Sequence, residues 1–205
     1  MDFSILILLL FVLAAVVALV VLSKKKKQAK AEIDEKPKAL IIENIESGGM
    51  LTLKGVGPDF LDVDCIVSEK HLYSEGSTEW YELECENGAE KLWLDLQDDG
   101  GLSLALKKGV LTDIAITEVQ LDEFDTNEAG AFSYDGLNYE YEASGQAQYY
   151  EKCNRSNGEN FYYWEFVAEG KAISVVRWGR SDYEVYFSES LNAVQVEIFS
   201  LKGNA

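Results

Sequence analysis

The sequence predicts an all-β fold: two similar antiparallel β-rich halves, as a sandwich or partly open barrels, behind one amino-terminal transmembrane helix. Three observations predict it. The chain opens with a long uncharged apolar run, alternates apolar and polar residues at period two beyond Pro37, and is internally similar across its two later parts. Its 205 residues, 47% hydrophobic and 26% charged, suffice for a buried core and exclude wholesale disorder.

Residues 3–22 carry one hydroxyl, Ser4, and no charge, and at about 1.5 Å per helical residue they span a hydrocarbon core of about 30 Å. A cleaved signal peptide has positive charge before its apolar run, whereas here Asp2 precedes and Lys24, Lys25, Lys26 and Lys27 follow. This order predicts a stop-transfer anchor whose lysines lie at the membrane interface and contact anionic lipid. The positive-inside bias then places the amino terminus outside and the carboxy-terminal domain in the cytoplasm, in a single-pass protein of the cell (inner) membrane. Residues 23–38, with seven lysines, form a basic juxtamembrane linker. Residues 39–205 form the cytoplasmic β-rich domain, with halves at about 39–125 and 126–205.

Four acidic and seven basic residues fall before Ala39, which leaves 32 acidic and 11 basic residues after it, a difference of −21. Nucleic acid, recognised first through cationic surface, is therefore excluded as a partner. One histidine and three scattered cysteines supply neither a Ser-His triad, a zinc knuckle nor a disulfide framework, and no cofactor motif is present.

Half-buried strands are legible in Tyr81, Leu83 and Cys85 set against Glu82, Glu84 and Glu86, and in Val194, Val196 and Ile198 set against Gln195 and Glu197. Turn signals separate the runs, among them Asn87-Gly88, Asp135-Gly136 and Asn157-Gly158, and no amphipathic helix of ordinary length lies between them. Trp80-Tyr81-Glu82-Leu83 resembles Tyr163-Trp164-Glu165-Phe166 at an offset of 83 residues. Met50 to Gly55 corresponds to Ser133 to Gly136, Leu102 to Leu106 to Tyr183 to Phe187, and Val119 to Leu121 to Val194 to Val196. Each half reads as about five strands with a tryptophan-bearing central hairpin, joined through the acidic, turn-rich segment Asp122 to Gly130.

Candidate chemistry is sparse. Glu82 and Glu165 hold equivalent positions beside aromatic pairs, and Trp80, Glu82, Tyr163, Trp164, Glu165 and Trp178 make the candidate ligand or partner surface. Paired carboxylates beside rings suit acid-base work or an organic polycation. The plainer expectation makes Glu82, Glu84 and Glu86 the solvated face of one strand. His71 has a surface or packing role, Cys65 and Cys85 are buried strand hydrophobes, and Asp59, Asp62 and Asp64 lack the spacing of a calcium loop.

The stretches Met50 to Gly55, Asp62 to Val67, Glu79 to Leu83 and Leu92-Trp93-Leu94, together with Gly145 and Tyr162 to Phe166, resemble the bacterial domain-of-unknown-function family DUF4178 over about residues 45–199. The resemblance implies a β-rich domain, encoded near phage-shock-type and small membrane proteins and polyamine-synthase-like enzymes, with a membrane-associated accessory role. It brings no catalytic residues.

The leading functional expectation is a membrane-anchored accessory or adaptor protein, not an enzyme, whose acidic domain binds a partner protein in a membrane-stress context. The alternative is a small-molecule or polyamine sensor, and an enzyme stands third. A deep pocket separates the sensor from the adaptor, which needs an open strand edge. A reporter fused after Ala205 should work only if it functions in the cytoplasm, and replacing Lys24 to Lys27 by glutamate should weaken or invert that orientation. External activity of the unmutated fusion refutes the predicted topology.

Overall fold

Turn chemistry sets where the strands end. Asn87-Gly88 closes the hairpin between β3 (Thr78–Asn87) and β4 (Glu90–Leu96). Asp135 and Gly136, at φ 49° and 78°, join β6 (Ala131–Tyr134) to β7 (Leu137–Tyr150) as the doubly positive-φ pair that tight hairpins favour. The computed structural model describes residues 38–203 except Asp98. Its other strands are β1 (Met50–Leu53), β2 (Val63–Glu75), β5 (Leu102–Gly109), β8 (Gly158–Ala168), β9 (Lys171–Trp178), β10 (Asp182–Leu191) and β11 (Val196–Ser200), and its one α-helix among the described residues is α1 (Glu118–Asn127).

All eleven strands belong to one antiparallel sheet in the order β11-β1-β2-β3-β4-β5-β10-β9-β8-β7-β6. A further pairing, Leu72 with Tyr150, Tyr73 with Tyr149 and Ser74 with Gln148, joins β2 to β7. Eight strands therefore close into a ring, β2-β3-β4-β5-β10-β9-β8-β7, with β1 and β11 attached beyond one long strand and β6 beyond the other. The domain is a single sheet system rather than a sandwich of two sheets or a pair of barrels. The runs β1–β5 and β6–β10 follow the same succession of a short strand, a long strand and three of intermediate length.

Alternation then gives every ring strand two buried faces. Leu83 and Cys85 of β3, Leu92, Leu94 and Leu96 of β4, and Leu51 and Leu53 of β1 pack into one aliphatic core. Trp164 and Phe166 of β8, Ile173 and Val175 of β9, Val185 of β10 and Leu121 of α1 pack into a second. The opposite face of the ring strands turns into a shared lumen, where Tyr73, Ala147 and Phe161 pack together with Trp80 and Trp178 at their edge. A strict period of two cannot place Val67 in a core and His71 and Tyr73 in the lumen. The bulge between Val67 and Glu69 reverses the faces of β2, and one between Tyr141 and Ala143 does the same for β7.

Three sequence expectations change. Val119 to Leu121 is helical, so its match to Val194 to Val196 does not hold, and the segment expected as a turn-rich junction contains most of α1. The helix follows from a capping box: the Gln120 backbone N–H donates to Thr117 Oγ1 at 3.3 Å, and the Thr117 N–H donates to Gln120 Oε1 at 3.0 Å. Its apolar face is little more than Leu121 and Phe124, too short to register as periodicity. The hairpin turns also fix the internal offset. Asn87 faces Glu90 and Ala168 faces Lys171, which aligns Leu83 with Trp164 and Glu84 with Glu165 at an offset of 81 rather than 83.

Among the described residues, no helix is long and apolar enough to cross a membrane. The span predicted over residues 3–22, Lys24 to Lys27 and most of the linker lie outside those residues.

Leu83 is fully buried, so Leu83→Ala should cost about 2 to 5 kcal/mol by urea unfolding, whereas exposed Glu86 should change stability by no more than about 0.5 kcal/mol on replacement by alanine. Residues 39–205 produced alone should give a β-type circular dichroism spectrum, and a helical one refutes the architecture.

Candidate ligand-binding site

The lumen opens into a cavity of about 420 Å³ whose walls come from all eight ring strands and the turn that follows β7. Alternation supplies its polar residues in pairs: Glu82 and Glu84 from β3, His71 and Tyr73 from β2, Glu184 and Tyr186 from β10. Trp93 of β4, Lys108 of β5, Trp178 of β9, Tyr149 of β7 and Glu159 of β8 also line the wall. Seven carboxylates and two lysines line it in all. That imbalance makes the cavity strongly negative.

Glu184 is the best-held of these acids. Its Oε2 accepts the Trp178 indole N–H at 3.1 Å and the Tyr186 hydroxyl at 2.8 Å, and Lys108 Nζ stands 3.9 Å away. The same ammonium lies 4.7 Å above the Trp93 ring and 4.5 Å above the Tyr186 ring, within cation–π range of both. A cation therefore already sits between two aromatic faces and a carboxylate, as an organic ammonium ligand would.

Glu82 and Asp95 face each other across β3 and β4. Glu82 is only 7% exposed, and burial pushes its carboxyl up to about 7, although the Lys108 charge and a hydrogen bond from the Tyr73 hydroxyl pull the other way. Asp95 is held well above the usual carboxylate range by burial, by Glu82 and by Glu165, while Ser103 Oγ donates to it at 3.3 Å. Two adjacent desolvated carboxyls cannot readily both ionise, so near neutral pH the pair holds a proton.

The predicted candidate residues divide. Glu82 and Trp178 line the cavity. Trp80 stacks on Tyr73 with ring centres 5.4 Å apart, and Tyr163 donates its hydroxyl to Glu75 Oε2 at 2.7 Å, both beside the cavity. Gly145 leaves room for that contact, because a Cβ there would meet Glu75 Oε1 at 2.5 Å. Glu165 acts on Asp95 through its charge, and burial, Glu142 and Glu75 raise its own carboxyl. Trp164 lies in the second core, away from the lumen, with the Arg177 guanidinium 5.2 Å above its ring. Glu82 is not part of a solvated face, since ring closure covers it, whereas Glu86 is exposed.

Tyr73, Trp93, Lys108, Glu184 and Tyr186 line the cavity and Asp95 faces Glu82, none of them among the residues expected at the site. A signal was present: Trp93 and Asp95, like Glu184 and Tyr186, put a ring and an acid on the same face of one strand, and a solvated face carries few large rings. His71 is buried, and its Nδ1 accepts from the Tyr149 hydroxyl at 2.7 Å and the Lys152 backbone N–H at 3.3 Å. Burial lowers its pKa, which keeps the ring neutral. Cys65 and Cys85 lie in the first core, where burial pushes the Cys65 thiol up to about 11. Asp62 accepts the Gly55 N–H at 3.0 Å and Asp64 the Thr52 hydroxyl at 2.5 Å, so Asp62 secures the backbone after β1 and Asp64 ties β2 to a β1 side chain.

The sign of the pH response follows. A carboxyl raised in the folded state stabilises the fold below its unfolded value of about 4.5, and that contribution is lost as pH rises through about 7. His71, lowered on folding, has the opposite sign: its contribution is present above 6.5 and declines as pH falls. Between about pH 5 and about pH 8 the unmutated domain should lose on the order of 2 kcal/mol relative to Glu82→Gln. Urea unfolding at both pH values measures it, and identical pH dependence in the two proteins would show that Glu82 ionises normally.

No curated protein and no solved structure matches the chain. The family model described as a domain of unknown function, DUF4178, matches residues 59–193, which contain all eight ring strands and the whole cavity wall, and the chain belongs to that family.

Proposed function

We propose that this chain is a membrane-tethered binding module whose lumen takes an organic cation bearing protonated amines, a polyamine being the simplest class, and that it acts as a sensor or accessory rather than as a catalyst. The observation that carries the reading is the Lys108 ammonium seated between Trp93, Tyr186 and Glu184 in a cavity with seven carboxylates. Aromatic faces and fixed anions recognise an ammonium ion by charge and polarisability, and a cavity of about 420 Å³ admits a flexible chain with several amines. Glu82, which lines the cavity beside Glu84, provides a second point of attachment. In this reading β1–β5 and β6–β10 are two similar halves whose polar faces meet to form one site, and residues 3–22 anchor it to the membrane.

The adaptor reading has its own support. The sheet order ends at β11 and β6, whose outer edges carry backbone groups that a partner strand can pair with. Both strands are short, with 5 and 4 residues, and the cavity is the larger feature.

Isothermal titration with spermidine tests the proposal. Binding should weaken steeply as salt rises, and Glu184→Gln should reduce affinity about tenfold, or about 1.4 kcal/mol. Absence of binding at about millimolar spermidine, or binding indifferent to Glu184→Gln, removes the cation reading and leaves the strand edges as the sites to pursue.

A further inference from the structure

Lys108 stands directly opposite Tyr186 in the β5–β10 pairing, one residue before β5 ends at Gly109. Its four-carbon stem carries the ammonium over Trp93 and Tyr186, yet the nearest carboxylate oxygen, Glu184 Oε2, is 3.9 Å away, beyond hydrogen-bond length. Glu184 does not depend on that lysine for its position, because Trp178 and Tyr186 already donate to the same oxygen. The lysine side chain is 33% exposed, so it borders solvent as well as the cavity. Lys152, the other lysine of the wall, is different. It makes a close 2.9 Å ion pair with Glu69 and is 59% exposed.

We propose that the Lys108 ammonium fills a subsite built for a primary alkylammonium ligand, that the terminal amine of the ligand displaces it, and that the lysine swings outward into solvent. The proposal rests on the cation-binding reading and adds a competitor built into the chain. A tethered competitor acts at an effective concentration on the order of millimolar or more, so a ligand with a single amine exchanges like for like and gains little. A ligand with several amines also reaches the Glu82 and Glu84 carboxyls of the wall, which the lysine leaves in place. Lys108 thereby makes the lumen select oligoamines over monoamines.

The test uses the full 205-residue chain, with n-butylammonium and spermidine as probes, read by calorimetry and by tryptophan fluorescence, to which Trp93 contributes. Lys108→Ala opens the subsite and should bind n-butylammonium about tenfold or more tightly than the unmutated chain, while Lys152→Ala, which removes the same charge elsewhere on the wall, should not. Lys108→Arg keeps a cation that stacks on both rings and should weaken spermidine binding several-fold, a result that keeps the proposal open to refutation if the alanine variant does not fold. If spermidine binds but the two alanine variants respond alike, or Lys108→Ala leaves monoamine binding unchanged, the displacement is refuted and the cation reading stands. If spermidine binds none of the proteins, both fall.

Discussion

Everything distinctive about this domain depends on three residue pairs between β2 and β7. Leu72 with Tyr150, Tyr73 with Tyr149 and Ser74 with Gln148 turn an open curved sheet into a ring. In an open sheet with one hydrophobic face, the other face meets water, and Glu82 and Asp95 would be ordinary surface acids. Closure gives each ring strand a second buried face and sets the polar residues of β1–β5 and β6–β10 opposite one another. The bulges in β2 and β7 are the local condition for closure, because each long strand must line a core at one end and the lumen at the other.

Burying carboxylates is costly, and the lumen answers in more than one way. Glu184 accepts from two donors, Trp178 and Tyr186, with the Lys108 ammonium close by. Glu82 and Asp95 sit where burial favours the protonated form, against the pull of the Tyr73 and Ser103 hydroxyls and of the Lys108 charge, which favour the ionised form. An aliphatic lining would close the ring at lower cost. Polar groups held at such expense in a concave space are what the proposed binding function would use.

The family match adds a boundary to this picture. It begins four residues before β2 and ends two after β10, so it contains the ring and leaves out β1 and β11. Those two strands complete the first aliphatic core through Leu51, Leu53, Val196 and Ile198. The second core is completed differently, by β6 and by α1, which brings Leu121 and Phe124 against Phe166. The two runs of strands thus share a succession and differ in what covers them.

Local information determined the strands. Alternation and turn residues depend on neighbours a few positions apart, so β3, β4 and their Asn87-Gly88 turn were legible, as were the correspondence of β5 with β10 and the burial of Leu83 and Cys85. The charge arithmetic likewise needed only a count. What the sequence could not decide was which way the polar face points. Period two separates the residues of a strand into two sets and says that one is buried; whether water or another strand covers the second set depends on pairings such as Tyr73 with Tyr149, 76 residues apart. A single bulge exchanges the two sets without leaving a mark in composition. Glu82 and Glu86 lie on the same side of the same strand and read identically as sequence, yet one is buried beside Tyr73 and the other is exposed, because ring closure covers only part of β3.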